Sequence, residues 1–389
     1  MRARIAVLGG GASGSLLVRA LAARRVPGPV ILIDQHERPL TGRRWGSWSL
    51  PLDRDPLAAR CVRTLRVAVG DQVTTLTLKH HEYWVVHGVD LAVAVDSALA
   101  RCGGLRLQAE VLGVRQVPGG AVVETTSEPV RADWVFDSLG LDLPPSTPTA
   151  SLAFAGWDVV LDDPVIDPDV VMLMDFRVPA RGEAAFAHVL PLGDRSAMVE
   201  LTAFTTSPHP WTRDEDLAAY VAQLAGGHRW SIVRRESGLL PLDPSPAPRG
   251  RGRVLRIGTP AGLVKASTGY GYELSRRDAA ALADALARGR TPRPLPRACR
   301  HHRMDAAFLE VLRSDPATLV AALGRLFSRC PPDDVLAFLS ERSSPAQEAR
   351  LAAALPLRPF LLAAGRAWTP GLRARRSSPA TGRRRQRSA

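Results

Sequence analysis

The sequence contains little lysine, few cysteines and no long hydrophobic run. Only Lys79 and Lys265 are lysines, and we attribute the arginine bias first to the base composition of a GC-rich genome. The four cysteines are widely spaced and form no C-x-x-C pair, which favours a reducing cytoplasm and argues against a metal site. No run of about eighteen apolar residues occurs, so no membrane-spanning helix is predicted. The first strand begins at residue 4 without a preceding apolar segment, so no signal peptide is predicted either.

The formal net charge of +13 is concentrated at the C-terminal end of the chain. Residues 372–389 contain seven arginines and no acidic residue, and this composition predicts a disordered basic tail. Three uses of the tail are open: attraction to an anionic membrane surface, contact with nucleic acid, or none beyond a solvated end. No aromatic residues alternate with the arginines, so we predict no nucleic-acid partner. We favour the solvated end, with membrane attraction next.

A glycine-rich turn near the N-terminus predicts a dinucleotide site. A short apolar strand precedes Gly9, Gly11 and Gly14, which give G-x-G-x-x-G, and helical apolar spacing follows them. A second apolar strand ends on Asp34, twenty residues after Gly14. In such a βαβ unit the glycines allow a tight turn and close approach of the backbone to a pyrophosphate, and the acid accepts a hydrogen bond from a ribose 2′-hydroxyl. A glycine-rich turn without a ligand is the alternative.

A second glycine-rich turn, late in the chain, favours FAD over a nicotinamide cofactor. Residues 254–258 form an apolar strand pattern and lead into a G-T-P-A-G run before a helical pattern. In FAD enzymes the chain returns late to the nucleotide domain, where a strand end and a helix N-terminus meet the ribityl and pyrophosphate groups. The residues predicted to bind the cofactor here are Gly258, Thr259, Ala261 and Gly262. Many flavoproteins have an aspartate at the position of Thr259, where a hydroxyl can still bond a ribityl oxygen.

The fold class that these patterns predict is α/β, with a Rossmann-like FAD-binding domain, an interleaved β-rich substrate domain and C-terminal helices.

A turn bearing two tryptophans is predicted at residues 44–48, and a single strand at residues 105–111. The adjacent His80 and His81 point to opposite faces if they lie on a strand, so no metal site is predicted. The predicted boundaries are 1–150 for the first part of the FAD-binding domain, 151–252 for the β-rich substrate layer, 253–290 for the return of the FAD-binding domain, 291–371 for the helical region and 372–389 for the basic tail.

Several segments together resemble the flavoprotein lycopene cyclases of bacteria and plants. Residues 258–271, GTPAGLVKASTGYG, are similar to the family's flavin-contacting segment G-T-x-A-G-x-V-K-P-S-T-G-Y, with Ala266 in place of its proline. Residues 174–177, M-D-F-R, and 199–202, V-E-L-T, resemble the family's M-D-F-R and V-E-x-T strands. These matches occur in the family's order, and the resemblance is to the bacterial lycopene beta-cyclases.

The resemblance implies a cyclisation without a net change of oxidation state. Lycopene cyclases convert the acyclic ψ-ends of lycopene into β-ionone rings, which gives γ-carotene with one ring and β-carotene with two. An acid protonates a terminal alkene carbon, a neighbouring double bond attacks the resulting cation, and a base removes a ring proton. A hydrocarbon substrate requires a long apolar tunnel, and we expect a carboxyl group in such a tunnel to have a raised pKa.

Glu200 and Asp175 are the candidate catalytic residues. The resemblance places the family's acid/base glutamate at Glu200, and strand alternation puts Glu200 on the same face as Met198 and Thr202. The alternative is a strand carboxylate that faces solvent or pairs with an arginine. Asp175 lies in a second apolar strand and is either a second functional carboxylate or a structural one. We expect no pairing of Asp175 with Arg177 along the same strand.

The resemblance also implies the cofactors, the partners and the location. FAD is required in its reduced form for an electrostatic, non-redox role, and NAD(P)H serves only as the flavin reductant. Because the substrate is a carotenoid dissolved in the membrane, we expect a cytoplasmic protein that docks peripherally on the inner face of the cell membrane. Either the basic tail or the helices of residues 304–368 could provide the docking surface. The oligomeric state, the number of ends cyclised and the choice between β- and ε-rings are left open.

Two other functions are compatible with these patterns. The first is an FAD-dependent monooxygenase or reductase acting on an isoprenoid, which shares the N-terminal fingerprint. A monooxygenase consumes oxygen and NAD(P)H stoichiometrically, whereas a cyclase consumes neither. The second is a member that only binds flavin or carotenoid, because Thr259 departs from the flavoprotein pattern and Ala266 from the family pattern.

Overall fold

The computed structural model describes residues 1–37, 40–141, 148–206, 213–244 and 249–368, and the predicted tail lies outside these ranges. Their strands are β1 (Arg2–Leu8), β2 (Val30–Asp34), β3 (Arg44–Ser49), β4 (Ala58–Val62), β5 (Thr64–Val69), β6 (Gln72–Thr77), β7 (Glu82–His87), β8 (Leu105–Gln108), β9 (Val111–Val117), β10 (Gly120–Thr125), β11 (Val130–Asp137), β12 (Ala150–Leu161), β13 (Val170–Asp175), β14 (Ala184–Pro191), β15 (Ser196–Thr205), β16 (Trp230–Leu242), β17 (Gly250–Arg251) and β18 (Val254–Arg256). Their helices are α1 (Ala12–Ala23), α2 (Gly88–Arg101), α3 (Asp214–Ala225), α4 (Tyr272–Ala287), α5 (Cys299–Ser314), α6 (Pro316–Arg329), α7 (Pro332–Leu339), α8 (Pro345–Ala354) and α9 (Leu357–Trp368).

An eight-stranded sheet carries the N-terminal glycine turn. Its strand order is β17-β18-β11-β1-β2-β8, and β10 joins β9 to β11. The pairs β8–β2, β2–β1, β1–β11 and β11–β18 are parallel, and β17 is antiparallel to β18. Both faces of β1 are buried: Ile5 and Val7 pack in the core with α1, α2 and α4, and Ala6 and Leu8 in the core on the other face. This burial explains the continuous apolar run of β1. The predicted α/β, Rossmann-like fold class is confirmed.

A seven-stranded sheet forms the second layer, with the order β16-β12-β15-β14-β13-β5-β6. All of its pairs are antiparallel except β13 with β5. One face of this sheet packs against α3, and the other against the C-terminal helices. The hairpin of β5 and β6 belongs to this sheet, whereas the predicted division groups residues 1–150 with the FAD-binding domain. Leu65 and Val67 on β5 are buried in the core that contains Phe308 of α5, and this shared core holds the hairpin there.

Two local predictions differ from the structure. Residues 44–49 form β3 rather than a turn, because their backbone pairs with β7 in a three-stranded sheet with β4. The single strand predicted at residues 105–111 is two elements. Its first part, β8, pairs with β2, and Val111 already begins β9, which pairs with β10. Both differences arise from pairing with distant segments that local patterns do not reveal.

The C-terminal region is helical, as predicted, and covers the second sheet. Proline stands at the first position of α6, α7 and α8, and Asp315 and Ser344 cap α6 and α8 by accepting backbone N–H bonds. Within the part of the chain that the structure describes, we find no helix with the length and apolar character needed to cross a membrane.

Candidate active site

Gly9 and Gly14 form a tight turn that only glycine permits. Gly9 has a φ of +89°, and a Cβ added to Gly14 would lie 2.0 Å from the carbonyl oxygen of Gly9. Gly11 is the N-cap of α1, and a Cβ added there would meet no atom within 4 Å. The first turn of α1 has neither a side-chain cap nor an acidic residue. The N-terminal N–H groups of α1 therefore face open space that suits an anionic group.

Asp34 lies beside this turn, at the end of β2. Its carboxylate accepts hydrogen bonds from the backbone N–H groups of Gly10, at 2.6 Å, and His36, at 2.7 Å. The side chain of Asp34 is 10% exposed. Asp34 thus stands where the acid of a dinucleotide fingerprint stands, with its oxygens held in place by the backbone.

The second glycine turn packs directly against the first helix. The chain returns on β18, which pairs in parallel with β11, and then turns at Gly258 with a φ of +66°. A Cβ on Gly258 would lie 2.2 Å from the Oγ of Ser13 on α1. A short 3₁₀ turn, Thr259–Ala261, follows, in which Thr259 is exposed and Ala261 is buried, and Gly262 closes it with a φ of +68°. The two predicted cofactor segments are therefore adjacent.

Lys265 fixes the second turn to the helical layer. It is completely buried, and its Nζ lies 2.6 Å from Oδ1 of Asp305 on α5 and 3.9 Å from Glu341. The ring of Phe338 on α7 is 5.0 Å from Nζ. The backbone carbonyl of Lys265 accepts bonds from the N–H groups of Thr268 and Gly269, which closes the turn on itself. The lysine of this segment is thus an anchor buried in the interior.

A cavity of about 510 Å³ extends from the first glycine turn to the seven-stranded sheet. Gly11 and Ala12 line it at the end near the nucleotide sheet, and residues 268–274 follow along one wall. The side chains contributed by β3 and the seven-stranded sheet include Trp48, Leu152, Phe154, Met174, Phe186 and Met198. A mainly apolar cavity thus connects the first glycine turn with Glu200, which also lines it, whereas residues 258–262 are not part of its lining.

Glu200 lies on β15, on the same face as Met198 and Thr202, and all three line the cavity. The Thr202 hydroxyl donates a hydrogen bond of 2.8 Å to its Oε1. No ion pair to Glu200 is found among the described residues. Burial raises the pKa of Glu200 to about 7; the nearby Glu236 carboxylate adds to this rise, and the Thr202 hydrogen bond and the charge of Arg234 oppose it. Near neutral pH this carboxyl group is therefore available both as an acid and, once ionised, as a base.

Strand register places three more residues in one row with Glu200. Gly156 on β12 is paired with Glu200 on one side and with Glu236 of β16 on the other. His188 of β14 is paired with Glu200 on its far side. Glu236 and His188 also line the cavity. Sequence reasoning missed both residues; the alternation of β16 could have indicated that Glu236 faces inward, but only the register brings it near Glu200.

An aromatic wall closes the cavity beside this row. The Trp48 and Tyr270 rings meet edge to face, with centroids 4.3 Å apart, and Tyr83 stacks near Trp48. The Tyr83 hydroxyl lies 3.3 Å from Nε2 of His188, whose Nδ1 lies 3.2 Å from the carbonyl oxygen of Leu173. Burial raises the pKa of Tyr83 well above its ordinary value and lowers the pKa of His188. Both side chains are thus neutral near pH 7.

A charged network flanks the cavity beyond Glu236. Arg234 donates to Glu236 at 2.9 Å and to Asp158 at 2.8 Å. Arg44 donates to both oxygens of Asp158, at 2.8 and 2.7 Å. Arg43 lies 3.9 Å from Glu236. Glu236 therefore forms an ion pair, whereas none to Glu200 is found in the described part of the chain.

Asp175 lies away from the cavity. Met174 lines the cavity, and Asp175, the next residue, faces α3, where the Tyr220 hydroxyl donates to it at 3.0 Å. Arg177 forms a two-pronged ion pair with Asp175, with distances of 2.8 and 2.6 Å. The expectation that these two residues do not pair is wrong, because β13 ends at Asp175 and the following turn folds the arginine back. Burial alone would raise the pKa of Asp175, but the bonds from Arg177 and Tyr220 outweigh burial and lower it.

The candidate metal residues do not assemble into a site. Nδ1 of His81 lies 2.9 Å from Oδ1 of Asp333 on α7, and the backbone N–H groups of Lys79, His80 and His81 donate to the same carboxylate. Across the described ranges of the chain, no group of three or more histidine, cysteine, aspartate or glutamate side chains could hold a metal ion. The carboxylate of Asp333 instead connects α7 to the strands beneath it.

Comparison with known sequences identifies one family. The sequence model described as lycopene cyclase protein matches residues 4–364. A protein of Deinococcus radiodurans named an uncharacterized carotenoid cyclase is 28% identical over 307 residues, which cover 73% of this chain and 70% of the relative. The lycopene beta-cyclase of Pseudescherichia vulneris is 26% identical over 292 residues, which cover 72% of each chain.

Solved structures share the fold at low sequence identity. A geranylgeranyl bacteriochlorophyll reductase-like protein of Thermoplasma acidophilum superimposes with a TM-score of 0.65 at 16% identity, over 93% of this chain and 98% of the other. A mutant of halogenase PltM in complex with FAD gives a TM-score of 0.62 at 12% identity, over 94% of each chain. At these identities the likeness shows the fold alone.

Proposed function

This chain belongs to the lycopene cyclase family, and from that premise we propose that it closes the acyclic ψ-ends of lycopene to β-ionone rings. The product is γ-carotene when one end reacts and β-carotene when both react. The reaction is an isomerisation, so the enzyme is an intramolecular lyase of carotenoid biosynthesis. The observation that carries the proposal is Glu200, a carboxyl group with a pKa raised to about 7 on the wall of a mainly apolar cavity.

The cavity chemistry suits a proton-initiated reaction of a hydrocarbon. Protonated Glu200 donates its carboxyl proton to the terminal alkene carbon of the ψ-end, and the apolar walls keep water from the resulting cation. The aromatic faces of Trp48, Tyr83 and Tyr270 favour positive charge near them. The neighbouring double bond then attacks the cation, and loss of a ring proton to a base completes the ring. No electron leaves or enters the substrate.

The residues at the two glycine turns fit FAD. The space at Gly11 and the uncapped first turn of α1 suit the pyrophosphate, Asp34 suits the ribose, and the turn of Gly258 to Gly262 suits the ribityl chain. When bound in reduced form, FAD supplies an electron-rich ring system that stabilises nearby positive charge. We assign NAD(P)H only to the reduction of the flavin. Gly9 and Gly14 shape the first turn, and Thr259 and Ala261 lie in the short 3₁₀ turn of the second segment.

The carotenoid partner implies peripheral contact with the inner face of the cell membrane, and α9 is the surface that suits it. Leu357, Leu361 and Leu362 of α9 are 60%, 66% and 54% exposed. Arg366 adds positive charge to the same helix, and the arginine-rich residues 372–389 follow it in sequence. Apolar side chains together with arginines favour an anionic lipid surface. The location that we propose is therefore cytoplasmic and membrane-associated.

Expression in bacteria that accumulate lycopene tests the function. The wild-type chain is expected to convert lycopene to γ- or β-carotene, separated by chromatography. Glu200→Gln removes the acid and is expected to leave lycopene unconverted, a loss on the order of 100-fold or more, while bound flavin is retained. Ser237→Ala, on the exposed face of β16, serves as the matched control.

The runner-up, an FAD-dependent monooxygenase or reductase of an isoprenoid, is tested in the same samples. It requires NAD(P)H and, for a monooxygenase, oxygen in proportion to product, and its products differ in mass from lycopene. Unconverted lycopene with the folded, flavin-loaded wild type would contradict the cyclase. An oxygenated or reduced product would favour the runner-up.

A further inference from the structure

Two glutamates face each other across a glycine in the cavity. Gly156 on β12 is paired with Glu200 of β15 and, on its other edge, with Glu236 of β16. Residues that are paired across neighbouring strands point to the same face of the sheet. Both glutamate side chains therefore project into the cavity from one row, separated by one strand.

The glycine leaves a gap between the two carboxyl side chains. A Cβ added to Gly156 would lie 3.4 Å from Cβ and Cγ of Glu200 and 3.5 Å from Cγ of Glu236. A single methyl group would thus touch both glutamates. The backbone of Gly156 needs no glycine-specific conformation, because its φ lies outside the left-handed region. The backbone of β12 does not require a glycine at position 156. What the glycine provides is open volume between the two glutamate side chains.

The two carboxyl groups have different neighbours. Glu236 is 11% exposed, and both Arg234, at 2.9 Å, and Arg43, at 3.9 Å, approach its Oε2. The nearest polar partner of Glu200 is the neutral hydroxyl of Thr202. A direct ion pair favours the ionised carboxylate, whereas burial without such a pair favours the neutral acid. When two carboxyl groups have such different surroundings, one is suited to act as the acid and the other as the base.

The remaining ionisable groups of the cavity wall are poor candidates for a base. Both ring nitrogens of His188 lie within hydrogen-bond distance of partners, the Leu173 carbonyl and the Tyr83 hydroxyl. Burial raises the pKa of Tyr83 and of Tyr270, so both phenols stay protonated. Glu273 lies in the first turn of α4 and is outside the strand row that contains Glu200 and Glu236. Glu236 is the carboxylate that is both paired with arginine and in the same strand row as Glu200.

We propose that Glu236 is the base that removes the ring proton, and that Glu200 acts as the acid alone. This inference rests on the proposed cyclase function. The Glu200 proton forms a C–H bond with the π electrons of the terminal alkene, and the neighbouring double bond supplies the pair for the new ring C–C bond. The ring C–H bond then breaks, its electron pair becomes the ring double bond, and its proton passes to Glu236. One proton has moved between the two carboxyl groups, and its return resets the site without any oxidation or reduction.

The experiment uses the flavin-loaded, reduced holoenzyme with lycopene in phosphatidylglycerol vesicles made up in D₂O. Without the base, Glu236→Gln is expected to lower conversion on the order of 100-fold. Its acid remains, so reversible protonation is expected to place deuterium in the recovered lycopene. Glu200→Gln is expected to return lycopene without deuterium. Ser237→Ala, next to Glu236 but facing outward, is expected to convert lycopene as the wild type does.

Two results would overturn the assignment while the wild type remains a cyclase. Conversion by Glu236→Gln within about threefold of the wild type would show that another group takes the proton. Loss of conversion without deuterium uptake would show that Glu236 is needed before the cation forms and only positions the acid. A wild type that leaves lycopene unchanged would instead overturn the proposed function.

A second variant keeps the pair testable if Glu236→Gln is too unstable for turnover. Gly156→Ala fills the gap with one methyl at ordinary contact distances and preserves both glutamates. We expect it to retain flavin and thermal stability but to raise the KM for lycopene on the order of tenfold, because the ring no longer fits between the carboxyl groups. An unchanged KM would contradict a substrate seated over Gly156.

Discussion

Glu200 shows how burial, rather than a charged partner, determines the protonation of a single residue. It lies among Met198, Thr202 and Phe186 on the cavity wall, and its pKa rises to about 7. Asp175 is the contrasting case, since Arg177 and Tyr220 hold its pKa below the ordinary value and it faces α3. Of the two carboxylates that the sequence indicates, only Glu200 meets the requirement for an acid beside an apolar substrate. Asp175 is better explained as a structural ion pair.

The raised pKa of Glu200 predicts a pH-dependent stability. The folded pKa of about 7 exceeds the ordinary value of 4.5, so the stability present below pH 4.5 is lost as the pH rises through 7. Glu200→Gln lacks this dependence. Relative to the wild type it should gain about 3 kcal/mol in free energy of unfolding between pH 4.5 and pH 8.

Urea unfolding of both proteins in matched buffers measures this difference. Glu110→Gln, on the surface of the nucleotide domain, is the control and should follow the wild type. Parallel curves for the wild type and Glu200→Gln across this pH range would contradict a buried, neutral carboxyl group.

In the βαβ unit, the turn between β1 and α1 requires close contact between the end of the strand and the N-terminus of the helix. A Cβ at Gly14 would overlap the Gly9 carbonyl oxygen at 2.0 Å, so Gly14→Ala must move the N-terminus of α1. We expect FAD binding to weaken on the order of tenfold or more, measured by flavin fluorescence titration. Gly113→Ala on β9 meets no atom within 4 Å and is the matched control. Equal flavin affinity in the two variants would argue against a cofactor at this turn.

Lys265 connects two elements through a buried charge. Lys265→Met leaves Asp305 of α5 without its cation at a position that is 1% exposed. Removal of one partner of a buried pair costs about 3–5 kcal/mol, measured by urea unfolding, and adding Asp305→Asn should recover part of this loss. Lys79→Met changes the other, exposed lysine and should have little effect. A loss below about 1 kcal/mol for Lys265→Met would mean that packing alone holds the turn.

In the whole molecule, α9 lies at the end of the described chain and presents leucines outward. We expect Leu361→Asp with Leu362→Asp to reduce co-flotation with phosphatidylglycerol vesicles on the order of tenfold or more, since each leucine buried in lipid contributes about 1.5–3 kcal/mol. Leu112→Asp, also exposed but on β9, is the control. Undiminished flotation of the α9 variant would place the docking surface elsewhere.

Some features follow from neighbours along the chain. The glycine spacing from Gly9 to Gly14, Asp34 at the end of an apolar strand, and the alternation that turns Glu200 toward Met198 all depend on residues a few positions apart. Backbone geometry and strand periodicity act at this short range. For this reason the α/β class, the two glycine turns and the face of Glu200 could be predicted.

Other features required the tertiary structure. The pair of Glu236 with Glu200 depends on the register of three strands, two of which are separated by a helix in the chain, and the Asp175–Arg177 ion pair depends on where β13 ends. The hairpin of β5 and β6 joined the second sheet because its apolar face matched a core built from α5 and α6. By itself, the sequence determined the dinucleotide turn and the acid that faces inward. Only the folded chain decided what stands opposite that acid, because register and burial are properties of segments far apart in sequence.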